Sequence, residues 1–205
     1  MDIHQLSAVT RGGLRVELTP FTPDDVDRVC LLCQDQEIQR WTTVPSPYAT
    51  KDAQWFVCEY VPKAWREIDD GTFSAADEGA ELVWAVRVAG DAPTAILWGS
   101  LGLKRLGQGR LEIGWWLGAE VRGQGIMQTG VHKVLEAAFS AEGLFQATEV
   151  IWHALVGNEP SARVAQRAGF RYTGVTTIPM HGDKPVWEAV IRRDGDETPV
   201  ASWPI

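Results

Sequence analysis

Three apolar runs follow one another with only short turns between them: "ELVWAVRV" (residues 81–88), "TAILWGSLGL" (94–103) and "GRLEIGWWL" (109–117). The turns carry Gly90, Pro93, Gly107 and Gly109, so the three runs predict an antiparallel meander. Immediately after it, over residues 123–141, the period changes to a helical one. Met127, Val131, Val134, Leu135 and Ala138 fall on one face there. "TEVIWHALV" then reads as a strand and "EPSARVAQRA" as a short helix, with Pro160 near its start and Gly169 just past its end. "FRYTGVTTI" and "KPVWEAVIRR" read as two closing strands. Upstream, residues 14–18 predict a strand, Thr22 caps a helix whose first residue is Pro23, and Thr50 caps a second helix interrupted near Pro62. A meander joined to one late strand–helix–strand crossover predicts an α+β fold, with helices flanking a mixed, mostly antiparallel sheet of about seven strands.

The 205 residues predict one domain, with a core over about 14–193, a short N-terminal extension and a polar C-terminal tail. The net charge of −8 argues against nucleic acid as a partner and agrees with a cationic substrate. No apolar run reaches the roughly 18 residues of a membrane span, and "MDIHQLSAVT" lacks the basic start and apolar centre of a secretory signal. The expected location is therefore the cytoplasm. Cys30 and Cys33 form a C-x-x-C, but at helical spacing with Val26 and Val29, which predicts small buried thiols. His4, His132, His153 and His181 show no paired spacing, so no metal site is expected.

Between the third meander strand and the long helix stands "VRGQGI". The first amides of a helix lack intrahelical acceptors, and the helix dipole adds about half a positive charge there. Two glycines let the backbone approach a bulky anion, and Arg122 adds a cation. The turn is therefore a candidate diphosphate cradle. It is not a dinucleotide fingerprint, because Gln128 stands where a third glycine is needed, and it lacks the Gly-Lys-Ser/Thr end of a P-loop.

Arg122-Gly123-Gln124-Gly125-Ile126-Met127 resembles the pyrophosphate motif, [Q/R]-x-x-G-x-[G/A], of the Gcn5-related N-acetyltransferases, with Met127 in place of the final small residue. About 30 residues on, "VGNEPSARVAQRAGFRYTGV" is similar to that family's strand-Asn-x-x-Ser-helix-Gly-Phe segment. "CQDQEIQRWTTVPSPYAT" resembles the early segment of the ribosomal-protein N-terminal acetyltransferase branch.

The resemblance implies a sheet splayed between its fourth and fifth strands, with acyl-CoA in the gap and acetyl-CoA as donor; succinyl-CoA or another acyl donor is an alternative. It implies transfer to a primary amine, a protein N-terminus or a small molecule, by direct attack in a ternary complex. A non-catalytic acyl-CoA sensor on the same fold is the other class, and the resemblance also allows a homodimer. It assigns the pantetheine to the backbone at Trp116 and Leu117, and the diphosphate to Arg122, Gly123, Gln124, Gly125, Ile126 and Met127. Asn158 contacts the pantetheine and Ser161 lies near the sulfur as a proton donor. The same two residues also read as a cap and a first-turn residue of the short helix. Glu112 and His153 are alternative general bases. Trp41 and Tyr48, in or beside a Pro-containing loop, are the expected acceptor contacts.

Overall fold

The computed structural model describes residues 2–74, 78–89, 95–195 and 201–205. Its centre is an eight-stranded sheet formed by β1 (Leu6–Val9), β2 (Arg15–Thr19), β3 (Glu78–Ala89), β4 (Ile96–Gly107), β5 (Arg110–Leu117), β6 (Glu149–Leu155), β7 (Arg171–Thr177) and β8 (Pro185–Arg192). The order across the sheet is β1-β2-β3-β4-β5-β6-β8-β7. Every neighbouring pair is antiparallel except β5 and β6, which are parallel and joined through the long helix. Eight strands stand where about seven were expected. The additional one is β1, in residues read from the sequence as an extension outside the core. Leu6 is buried, and the β1 backbone pairs with β2 from Leu6↔Leu18 to Val9↔Arg15.

Among the described residues, six α-helices accompany the sheet: α1 (Val26–Leu32), α2 (Gln36–Trp41), α3 (Thr50–Trp55), α4 (Val61–Asp69), α5 (Ile126–Phe139) and α6 (Glu159–Arg167). Thr22 precedes a 3-10 turn with Pro23 as its first residue, and the Asp25 carboxylate accepts the Thr22 backbone N–H at 2.8 Å. The second helix begins one residue earlier than expected. Ala49 is the N-cap, because Asp52 accepts its backbone N–H at 2.8 Å, and Thr50 is the first helical residue. The expected interruption near Pro62 takes the form of a π-helical segment, Phe56–Tyr60, which links α3 to α4 just before the proline, the second residue of α4. The turn expected around Gly90 and Pro93 lies outside the described residues.

α5 packs across β1, β2 and β3, and its Gly130 is closely approached by Leu18 and Leu101. Leu101 is the register partner of Trp115, so Leu111, Ile113, Trp115 and Leu117 share the α5 face of β5. Glu112, Gly114 and Trp116 therefore point to the opposite face. The β5–β6 ladder ends at Ile113↔Trp152, although β5 continues to Leu117, paired with β4, and β6 to Leu155, paired with β8. Each strand keeps its outer partner while losing the inner one, so the sheet opens into a wedge.

Candidate active site

The wedge leads into a cleft of about 380 Å³. One wall is the end of β5 (Trp115, Trp116 and Leu117), and another is the turn and first residues of α5 (Arg122, Gly123, Gly125, Ile126, Met127 and Gln128). α6 contributes Asn158, Pro160, Ser161, Arg163, Val164 and Arg167; α2 and the residue after it contribute Glu37, Ile38, Trp41 and Thr42.

Gly123 and Gly125 have φ of +78° and +76°, conformations that favour glycine. A Cβ at Gly123 would meet nothing within 4 Å, so the positive φ rather than packing favours glycine there, and the backbone stands open. The α5 amides that follow have no acceptor within the helix. A diphosphate fits this surface: open backbone, positive dipole end and no intervening side chain. The Arg122 guanidinium donates to the Leu117 carbonyl at 2.9 Å and to the Asp35 carboxylate, tying the end of β5 to the start of α2. The Gln124 side chain turns away from the cleft and donates to the Glu120 carbonyl at 3.3 Å. Met127 does not obstruct the turn, because its side chain goes into the core beside Ile126 and only borders the cleft.

Asn158 is the N-cap of α6, its Oδ1 accepting the Ser161 backbone N–H at 3.3 Å. Ser161 Oγ accepts the indole N–H of Trp152 at 3.2 Å. Trp41 reaches from α2 to Gly157, whose added Cβ would sit 3.5 Å from its ring, so it bridges the mouth of the wedge. The expected acceptor contact at Trp41 is thus a wall of the cleft below the α5 turn. Tyr48, the other expected acceptor contact, is buried and is not among the residues that line this cleft; the Gln34 side-chain amide donates to its carbonyl at 2.9 Å. Burial pushes the Cys33 thiol up to about 12, which leaves it a protonated core group.

Glu112 and His153 meet on the far face of the wedge. His153 Nδ1 lies 2.9 Å from Glu112 Oε1, and Nε2 lies 3.1 Å from Glu188 Oε2 on β8. Glu188 Oε1 in turn accepts the Thr173 hydroxyl at 2.9 Å. The His153 side chain is 9% exposed, beside Glu112 at 16% and Glu188 at 34%. Burial alone draws its pKa down, but the hydrogen bonds and charges of the two carboxylates outweigh this, and the net shift is upward. A charged imidazole donates through both nitrogens and satisfies both carboxylates at once. Lys104 stands opposite Glu112 on β4. Nearby, Glu81 lies over Gly102 and accepts the Tyr60 hydroxyl at 2.7 Å; burial raises its pKa, against the lowering influence of Tyr60 and Lys104. Between these groups Gly114 is exposed, with open space where a Cβ would be.

Several of these residues carried no motif. Glu81, Tyr60 and Glu188 come from three other elements and converge only through sheet pairing. The α6 wall did have a signal: Pro160, Arg163, Val164 and Arg167 recur at i, i+3, i+4 and i+7, the spacing of one helix face.

A wedge between parallel strands, opening onto the amides of a helix turn, defines a fold that holds a long ligand with an anionic tail. Residues 15–171 match the family model described as an acetyltransferase (GNAT) domain, and the chain belongs to that family. It is an acyl-CoA-dependent N-acetyltransferase by class. No curated protein matches the sequence. Among solved structures, a GNAT-family acetyltransferase from Bacillus anthracis is 17% identical, with a TM-score of 0.71 over 93% of this chain and 99% of that one. RimJ from Mycobacterium smegmatis, solved with CoA-disulfide, is 15% identical, with a TM-score of 0.70 over 93% and 87%. Spermidine N-acetyltransferase from Vibrio cholerae, solved with CoA and spermine, is 16% identical, with a TM-score of 0.64 over 87% and 96%. At these identities the likeness is one of fold. Among the described residues no helix is long and apolar enough to cross a membrane.

Proposed function

We propose that the protein transfers an acetyl group from acetyl-CoA to a primary amine, by direct attack in a ternary complex, as a single catalytic domain working in the cytoplasm. The observation that carries this reading is the end of the β5–β6 ladder at Ile113↔Trp152, directly beside the open amides of the α5 turn. In this reading the amides of residues 123–127 hold the diphosphate, with Arg122 at its edge. The pantetheine runs along the backbone of Trp116 and Leu117 with Asn158 beside it, and Ser161 serves the leaving sulfur. The thioester carbonyl passes through the wedge to the face that carries Glu112.

Glu112 is the base of this scheme rather than His153. Both imidazole nitrogens are engaged by carboxylates, whereas Glu112 holds His153 through one oxygen and keeps the other for the amine, directly or through a water. The ammonium first gives a proton through Glu112 to solvent; the neutral nitrogen then forms the new bond to the carbonyl carbon and passes its second proton to Glu112, and the carbon–sulfur bond breaks with its electron pair on sulfur. Glu81, Glu112 and Glu188 on this face, with a net charge of −8 for the chain, suit an acceptor that arrives as a cation. Protein N-termini and small polyamines, the latter the kind of molecule bound in the spermidine N-acetyltransferase of Vibrio cholerae, stand as the two acceptor classes to compare.

The test is release of free CoA from acetyl-CoA with a panel of peptide N-termini and small amines, the products identified by mass spectrometry with isotopically labelled acetyl groups. Amine-dependent thiol release with labelled amide product is expected. Binding of acetyl-CoA with no release above hydrolysis for any amine would reject the proposal.

A further inference from the structure

Trp152 lies in β6 on the α5 face, 1% exposed, and its one polar atom donates to Ser161 Oγ at 3.2 Å. A buried indole N–H left unpaired is costly, so this bond selects the Ser161 rotamer. Indole nitrogen donates and cannot accept, so the Ser161 proton cannot point back at Trp152. The hydroxyl proton has no acceptor among the described residues, and the oxygen borders the cleft. Trp152 is itself held on two sides. Its ring stacks on Trp115 at 6.3 Å, with 20° between the planes, and meets Trp203 at 5.9 Å. Trp203 comes from residues 201–205, which return to the sheet: Ala201 donates its backbone N–H to the Tyr172 carbonyl at 3.0 Å, and the Trp203 ring packs on Tyr172 at 5.4 Å.

We propose that Trp152, braced by Trp203, is a positioning residue that aims the Ser161 hydroxyl at the leaving sulfur. The inference rests on the reading that Ser161 serves that sulfur. As the carbon–sulfur bond breaks and its pair moves to sulfur, the Ser161 O–H proton goes to the thiolate. In the same step Oγ takes a proton from water at the cleft mouth, so no free alkoxide forms, and the indole N–H stabilises the negative charge that builds on Oγ during the transfer. The proton released by the amine balances the one taken from water. Trp152 touches no reacting atom; its effect passes through Ser161.

The test is a double-mutant cycle of Trp152→Phe and Ser161→Ala, read as steady-state kcat and as KM for acetyl-CoA. Phe keeps an aromatic ring between Trp115 and Trp203 and removes the N–H together with the pyrrole part of the indole, so the non-additivity with Ser161→Ala, rather than the single loss, reports the hydrogen bond. Ser161→Ala is expected to lower kcat by on the order of tenfold or more, within the range of general-acid contributions. Trp152→Phe alone is expected to lower kcat about fivefold, with KM for acetyl-CoA changed less than about twofold. In the Ser161→Ala background it should cost nothing further, the non-additivity of residues acting as one unit. Trp203→Ala should lower kcat in the same sense by a smaller factor and also fall silent in that background, and it tests the brace if Trp152→Phe does not fold. An unaffected kcat in Ser161→Ala would remove the reading of Ser161 itself. A loss in Ser161→Ala with none in Trp152→Phe and Trp203→Ala, or with losses that persist undiminished when combined, would overturn the positioning role and leave Ser161 in place.

Discussion

Replacing Glu112 by Gln removes one charge from the Glu112–His153–Glu188 group while keeping an oxygen that accepts from Nδ1. In the native protein the contact is 2.9 Å and both side chains are largely buried. Two unit charges about 4 Å apart attract by roughly 4 kcal/mol at an effective dielectric of about 20, and desolvation of the buried carboxylate takes back a good part of this. We expect a net loss of about 1–2 kcal/mol in Glu112→Gln while the imidazole is charged. The pKa of His153 is raised in the folded protein, so its contribution to stability is fully present below the ordinary imidazole value of about 6.5 and is lost as pH rises through the folded value. The difference between native protein and variant should therefore be largest near about pH 6, and should shrink or reverse near about pH 9.5. Groups facing the imidazole enter the same balance: Glu188 from β8, His181 from the turn after β7, and, through Glu112, Lys104 from β4. The assay is urea denaturation of both proteins across this range, with His153 followed by NMR; its titration should move down in Glu112→Gln. A stability difference that is constant with pH, or larger at the alkaline end, would refute the charged-imidazole account.

Other consequences are open to measurement. Arg122→Glu puts a like charge beside Asp35 and removes the cation at the α5 turn, and should weaken acetyl-CoA binding by on the order of tenfold, about 1.4 kcal/mol, in a calorimetric titration. Unchanged affinity would mean that Arg122 only braces α2. The Arg87–Asp25 pair is buried, with contacts of 2.9 and 2.6 Å, so Asp25→Ala strands Arg87 and should cost about 3–5 kcal/mol on thermal or urea unfolding. Neither residue lines the cleft, which predicts unchanged acetyl-CoA affinity for the folded fraction. Trp41→Ala opens the mouth of the wedge above Gly157 and should raise KM for acetyl-CoA while leaving overall stability nearly unchanged; an unaltered KM would remove Trp41 from the site.

The parts of the fold written in local pattern were legible in the sequence. The meander, the single crossover and the glycine turn all rest on residues close together in the chain: Arg110–Leu117 and Ile126–Phe139 fall within the predicted runs, while β3 (Glu78–Ala89) and β4 (Ile96–Gly107) extend beyond theirs. Two short elements were not legible. β1 has four residues and becomes a strand only because β2 is there to pair with it; α2 has six, starts at an Asp35 cap and is followed at once by a Pro-broken loop. Tyr48 sits in such a loop, where sequence suggests exposure, and only the packing of its ring into the core turns it inward. Glu188 was invisible as a site residue because its partner is 35 positions away and the register of β6 on β8 decides which of its neighbours faces His153. The residues after 193 read as a polar tail, yet Trp203 finds an aromatic partner in Trp152 and another in Tyr172.

The central claim is that the amides at the start of α5 grip the diphosphate of CoA while the pantetheine lies in the β5–β6 wedge. A crystal structure of the protein with CoA tests it most directly. The account predicts diphosphate oxygens within about 3 Å of backbone nitrogens in residues 123–127, and the sulfur near Ser161. CoA bound with its diphosphate away from that turn, or with the wedge closed beneath it, would contradict the account.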